Sequence, residues 1–376
     1  MRYDSRFARP DGVDSALEKI RELAGRTGPV KLMEVCGTHT MAIAKAGLKS
    51  LLPGEVSLIS GPGCPVCVTP AGVMDAVLDL SARPDLILTS YGDLLRVPGT
   101  VRGDSLLRRK ASGARVEAVY SPIEAVDLAQ ANPERQVVFL GVGFETTAPG
   151  TAACILEAAR RKLKNFSVLC LLKLTEPALR ALTASPDFAV DGFLCPGHVA
   201  AITGSELFRF LPEEYGLPAV VSGFESGDLV FSVLELMRML AAKRPELKNE
   251  YTRLVRPEGN LIAQRAIRQV FEPCSSDWRG LGEVPSGGLS IRGEYAEFDA
   301  AKRFPFQPRS GSGVPGCRCA EVIRGVLSPA QCPLFGKLCT PSDPVGPCMV
   351  SGEGACAASF RYLPPGGSTP WTPGRD

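Results

Sequence analysis

Through residue 242 the chain alternates short apolar runs with stretches in which apolar residues recur at helical spacing. Val13, Leu17, Ile20 and Leu23 predict a first helix over 12–26. The apolar runs are Val30–Val35, Val56–Ser60, Leu86–Ser90, Val116–Tyr120, Val137–Gly141, Phe166–Leu172, Gly192–Cys195 and Ala219–Ser222. Between and after them, Thr38–Leu51, Ala71–Leu80, Ile123–Ala131, Thr151–Leu163, Glu176–Ala184 and Asp228–Ala242 read as helices. Short buried strands that alternate with helices imply parallel sheets covered on both faces, and so an α/β architecture. With about four strands before residue 121 and about four between 136 and 222, two α/β domains fit better than one large sheet. We place them at 28–120 and 121–225, with 1–27 and 226–376 forming a third, helical and loop-rich unit. Within that unit 250–270 reads as helical, 272–315 shows no clear period, and the tail Leu363–Asp376 is rich in Pro and Gly.

The unusual residues fall where the strands end. Glu34-Val35-Cys36-Gly37, Gly61-Pro62-Gly63-Cys64, Gly143-Phe144-Glu145-Thr146-Thr147, Cys195-Pro196-Gly197-His198 and Ser222-Gly223-Phe224-Glu225 each close an apolar run. In open parallel sheets ligands bind beyond the carboxyl ends of the strands, so these segments are expected around one cleft. Bulk composition limits what that cleft does. A net charge of +2 is close to neutral and gives no sign of a nucleic-acid or polyanion surface. No apolar run reaches the ~18 residues of a membrane helix. The first residues lack a signal-peptide core, so the expected location is the cytoplasm, where thiols stay reduced. Thirteen cysteines there favour metal or redox chemistry over a disulfide framework. Two histidines, His39 and His198, exclude any site built on three imidazoles.

Three cysteine constellations carry the candidate chemistry. Cys36 stands three residues before His39 at a strand-to-helix turn, as a thiolate metal ligand with a nearby imidazole, as a nucleophile with a His base, or as a buried thiol. Cys64 and Cys67 form a CxxC pair at a helix start, where thiolate is favoured; half of a zinc site is the other reading. The third group is Cys317, Cys319, Cys332, Cys339, Cys348 and Cys356. Cys317, Cys332, Cys339 and Cys356 are spaced C-x14-C-x6-C-x16-C, which matches neither a ferredoxin nor a zinc ribbon. Loops rich in Pro and Gly can still gather four thiolates around an iron–sulfur cluster or a zinc ion. Gly141-Val142-Gly143 lacks the third glycine of a dinucleotide loop, so Gly143–Thr147 is read as a turn presenting Glu145 to the cleft.

Taken together, EVCGTHT (34–40), GPGCPVCVTP (61–70), GFETTAP (143–149), CPGHV (195–199), SGFE (222–225) and the cysteine-rich 316–358 resemble the HypD family of hydrogenase maturation factors. The resemblance implies two Rossmann-like parallel-sheet domains plus an irregular, helical iron–sulfur cluster domain. It implies a scaffold with redox activity rather than a conventional turnover enzyme. On it, with a HypC-type small chaperone, the Fe(CN)2CO moiety of [NiFe]-hydrogenase is assembled, cyanide coming from a HypE-type partner. Carried over, Cys36 is the ligand of a mononuclear iron, Cys64 and Cys67 are a redox pair, and Cys317, Cys332, Cys339 and Cys356 hold a [4Fe–4S] cluster. His39, Glu145 and His198 join Cys36 at the reaction site. A rival from another class is a ferredoxin-linked thiol–disulfide reductase acting on a protein partner, which needs the cluster and the CxxC but not Cys36, His39 or Glu145.

Overall fold

The structure, a computed structural model, describes residues 12–309 and 313–362. Eight parallel strands lie where the alternation predicts them. They are β1 (Val30–Glu34), β2 (Val56–Ser60), β3 (Leu86–Ser90), β4 (Val116–Ala118), β5 (Gln136–Gly143), β6 (Phe166–Leu172), β7 (Gly192–Pro196) and β8 (Ala219–Ser222). A short β9 (Leu247–Asn249) follows the long helix Ser226–Ala242. The strands form two all-parallel sheets, one in the order β2-β1-β7-β8-β9 and one in the order β4-β3-β5-β6. The α/β expectation holds.

The allocation of strands to sheets does not follow a boundary at 120/121. The chain starts the five-stranded sheet with β1 and β2, builds the whole four-stranded sheet with β3 to β6, and returns to the first with β7 to β9. The reason is pairing across distance. β1 accepts β7 along its free edge, with Leu32 opposite Gly192 and Glu34 opposite Leu194, and no local pattern records which remote strand will do so. The four-stranded unit is thus an insertion into the five-stranded one.

Alternation along each strand fills two cores. In β1, Val30 and Leu32 face the helices Val13–Thr27 and Ser226–Ala242, while Met33 and the following Val35 face Phe193 and Phe208. In β5, Val137 and Phe139 face one layer and Val138, Leu140 and Val142 the other. Successive side chains point to opposite faces, and a parallel sheet is stable only when both are covered.

Two segments depart from the sequence reading. Of 250–270, only Leu261–Val270 is helical. The aperiodic 272–315 contains an antiparallel hairpin, β10 (Phe271–Trp278) and β11 (Gly282–Ile291), with Phe271 opposite Ile291, Trp278 opposite Gly282 and an irregularity between Cys274 and Ser276. β10 buries only Phe271 and Trp278 at its two ends, so it carries no alternating pattern. It is held by packing of Phe271, Leu289 and Ile291 against the four-stranded unit, and by the hydrogen bond from Leu174 N to Gly287 O. The cysteine-rich region is a set of short helices, Cys319–Ile323, Pro347–Val350 and Ala355–Tyr362, joined by loops. It shares one apolar core with a face of the four-stranded sheet and with Cys64 and Cys67. No helix among the described residues is long and apolar enough to cross a membrane. The Pro/Gly-rich tail after residue 362 lies outside the described residues.

Candidate metal and thiol site between the two sheets

Chain direction creates the cleft. After β1 the chain moves to one side, to β2, and it re-enters on the other side of β1 as β7. Loops leaving adjacent strands in opposite directions open a crevice at that switch point. Cys36 follows β1 and His198 follows β7, and the Cys36 sulfur lies 3.8 Å from His198 Nδ1 and 3.9 Å from Nε2. Cys36 is the N-cap of the helix Gly37–Lys45. Its backbone N–H donates to Glu34 Oε2 (3.1 Å), and Thr40 donates its hydroxyl to the other oxygen of the same carboxylate. Burial pushes Glu34 up to about 7, against the pull of those hydrogen bonds. Burial also pushes the Cys36 thiol well above its ordinary value, and the carboxylates of Glu34 and Glu353 add to the shift.

His39 does not face Cys36. Three residues into the helix, its Nε2 donates to Gly223 O (2.9 Å), and its ring lies 4.8 Å from that of Phe224. Phe224 stacks on His198 at 5.2 Å. Both imidazoles are held down to about 4 by burial, so both are neutral at pH 7. The buried Nδ1 of His39 has no hydrogen-bond partner among the described residues. The cavity in front of Cys36 is also lined by Phe144 from the end of β5, by Gly63, and by Trp278 from the hairpin. Glu145 does not line this cavity itself but is bonded to Thr175, which does. Its carboxylate accepts hydrogen bonds from the backbone N–H and hydroxyl of Thr175, both at 2.7 Å, at the start of the helix Thr175–Thr183.

Cys64 and Cys67 are joined as a disulfide. The helix they open is a single turn, Pro65–Val68, followed by a break before Ala71–Leu80. A helix does start at the pair, as the sequence predicts, with Cys64 as its N-cap and the Cys67 N–H donating to Cys64 Sγ at 3.2 Å. Cys67 Sγ lies 3.9 Å from Pro347 O, and the pocket that borders the pair is also lined by Cys348 and Glu353. Glu353 reaches back to the first helix turn after Cys36, where Thr38 donates to it at 2.7 Å.

In the C-terminal region Cys317, Cys319, Cys332, Cys339 and Cys356 line one cavity, walled by Val322, Leu334, Phe335 and Met349; Cys348 does not line it. Cys317, Cys348 and Cys356 lie within hydrogen-bonding reach of Cys319. The bond with Cys319 is the main cause that holds the Cys317 thiol down at about 6. Val345 N–H donates to Cys339 Sγ at 3.3 Å. A Cβ on Gly346 would lie 2.5 Å from Cys317 Sγ and 2.6 Å from Cys319 Sγ, so the bare backbone there leaves room for the thiols. Such an apolar ring of soft donors with N–H groups aimed at sulfur fits an iron–sulfur cluster, which takes one thiolate per iron. Among the described residues no three His, Cys, Asp or Glu side chains converge closely enough to hold a single ion.

Sequence reasoning passed over the hairpin tip Trp278-Arg279, which meets both the Cys36 cavity and the CxxC loop. A signal was present. Arg279-Gly280-Leu281-Gly282, with both glycines at positive φ, is the Gly-bearing loop of a hairpin.

Comparison with known proteins places this arrangement. The model of the family HypD, described as "Hydrogenase formation hypA family", matches residues 11–363. "Hydrogenase maturation factor HypD" of Azotobacter vinelandii is 47% identical over 371 residues, which cover 96% of this chain and 97% of that protein. "Hydrogenase maturation factor HypD2" of Bradyrhizobium diazoefficiens is 45% identical over 369 residues, covering 96% and 97%. The HypD of Escherichia coli (strain K12) is 44% identical over 370 residues, covering 96% and 98%. With the family model and full-length relatives in agreement, the chain belongs to the HypD family.

Proposed function

We propose that the chain acts in hydrogenase maturation as a cysteine-based scaffold. On it an iron carrying cyanide and carbon monoxide is assembled with a HypC-type small chaperone, and cyanide comes from a HypE-type partner. The observation that carries the reading is the Cys36 thiol, at the switch point of the five-stranded sheet and facing His198. Iron is the cargo. A soft thiolate suits low-spin iron with strong-field ligands. Burial keeps the proton on Cys36 in the absence of a cation, and a metal ion that displaces it removes the cost of a buried anion. The neutral ring of His198 beside the sulfur does not repel the incoming iron and offers a nitrogen to it or to a proton.

Cys64 and Cys67 hold two electrons as a dithiol and release them as a disulfide. Cys317, Cys332, Cys339 and Cys356 would hold a [4Fe–4S] cluster, which when bound supplies electrons one at a time. The packing of Cys67 on Pro347 also favours a second reading, a ferredoxin-linked thiol–disulfide reductase. Infrared spectra of the protein purified anaerobically with its small partner separate the two. The scaffold shows CN and CO stretching bands that Cys36→Ala abolishes while the fold and the cluster iron remain. A Cys36→Ala protein that still carries cyanide-ligated iron overturns the assignment of Cys36, and wild-type protein without such bands favours the reductase.

A further inference from the structure

Arg279 sits at the tip of the hairpin, half-buried, and touches the CxxC loop in four hydrogen bonds. Its backbone N–H donates to Val68 O at 2.7 Å. Its Nε donates to Cys67 O at 3.1 Å and Thr69 O at 3.2 Å, and its Nη2 donates to Thr69 O at 2.8 Å. These three carbonyls leave the single helical turn that carries Cys64 and Cys67, where no further turn follows to satisfy them. On its other side the tip packs against the helix Cys319–Ile323, for a Cβ on Gly280 would lie 2.8 Å from Ala320 O. No carboxylate among the described residues pairs with the guanidinium, while its charge reaches both Cys317 and Cys348. One cation with no carboxylate partner among the described residues therefore lies between the CxxC pair and the C-terminal thiols.

We propose that Arg279 is a positioning residue that sets the reduction equilibrium of the Cys64–Cys67 pair. Its three side-chain bonds fix the loop, and its positive charge favours the reduced state, because a thiol of the pair can lose its proton to become an anion and a disulfide cannot. The inference rests on the proposed redox role of the pair.

The test is the equilibrium of the full-length protein with a dithiothreitol redox buffer, followed by differential alkylation of the peptide that carries Cys64 and Cys67. In this exchange the Cys64–Cys67 S–S bond breaks, the S–S bond of cyclic dithiothreitol forms, and two protons pass from the reagent to the protein thiols. Arg279→Gln is expected to shift the equilibrium about tenfold toward the disulfide, which is ~30 mV for a two-electron couple. Arg279→Lys, which keeps the charge but not the fork, is expected to stay within about threefold of wild type. Arg279→Gln protein with a wild-type equilibrium constant overturns the proposal, as does Arg279→Lys shifted by the full tenfold. Should Arg279→Gln fail to fold, the lysine variant alone decides by the same criterion. A wild-type pair that dithiothreitol cannot cycle overturns the redox reading itself, which a normal wild-type value with unshifted variants does not.

Discussion

Gly63 and Cys36 meet backbone against backbone. Gly63 O accepts the N–H of Gly37 at 2.9 Å, and a Cβ on Gly63 would overlap the backbone nitrogen of Cys36. No flexible side-chain end is there to yield, so Gly63→Ala must move either the CxxC loop or the turn that presents the candidate iron ligand. Overpacking of this kind costs ~1–3 kcal/mol. The expected outcome is a lower urea midpoint together with a changed alkylation rate at Cys36. A variant with both unchanged would show that the two loops do not depend on each other. Gly61-Pro62-Gly63-Cys64 and the turn at Cys36 are each legible as special segments in the sequence, while the contact between them is not.

At the scale of elements, the hairpin β10–β11 is fastened to β6 by Lys173. This side chain is 4% exposed, and its ammonium donates to Ser276 and, at 2.7 Å, to Asp277 O. Burial holds its pKa down at about 8, against an ordinary value of 10.5. Below pH 8 the group is charged in both the folded and the unfolded chain, and the cost of burying the charge is present in full. Between pH 8 and 10.5 the unfolded chain binds more protons than the folded one, so stability rises with pH. The rise amounts to about 3 kcal/mol on the scale of 1.36 kcal/mol per pKa unit. Urea unfolding at pH 7.5 and 10.5 should show that rise in wild type relative to Lys173→Met. Parallel curves for the two proteins would mean that Lys173 titrates normally. The hairpin itself escaped the sequence reading because its strands are held by contacts made at their ends and by one edge of a remote sheet, and not by a period of their own.

For the whole molecule, the cysteine-rich region docks where both sheets end. Exposed ion pairs such as Arg102–Asp343 (2.6 Å) and Arg324–Asp187 (2.6 Å) cross the junction, yet pairs of this type contribute at most about 1 kcal/mol each. The larger contribution is the shared apolar core that includes Val322, Ile323, Met349 and Val350 alongside Leu88 and Leu140. Docking brings Cys67 to Pro347 across 280 positions of sequence, with no helix layer between them. Replacing Cys317, Cys332, Cys339 or Cys356 by Ala should remove most of the cluster iron, whereas Cys319→Ala and Cys348→Ala should leave much of it. Iron and acid-labile sulfide analysis of the six variants is the measurement. Cys319 is the sharpest case, because it lines the cavity with the proposed ligands. A Cys319→Ala protein without a cluster would mean that one of the four has been chosen wrongly.

The sequence by itself determined the kind of protein. Alternating apolar runs and helical periods located the eight parallel strands, since burial on both faces leaves a local record in each strand. Glycine, proline and cysteine at the strand ends marked the cleft, and the combination of motifs marked the family. Tertiary structure alone decided which strands share a sheet, and with that which side chains meet. Spacing placed His39 beside Cys36, but the helix carries His39 to Gly223 and the pairing of β1 with β7 brings His198 instead. Spacing aimed Glu145 at the cleft, and the fold ties its carboxylate to Thr175, a residue of the cavity wall. A local pattern reports what a segment buries. The identity of its partner is settled by segments elsewhere in the chain, for β1 and β7 some 160 positions apart, which pair or pack only once the whole chain has folded.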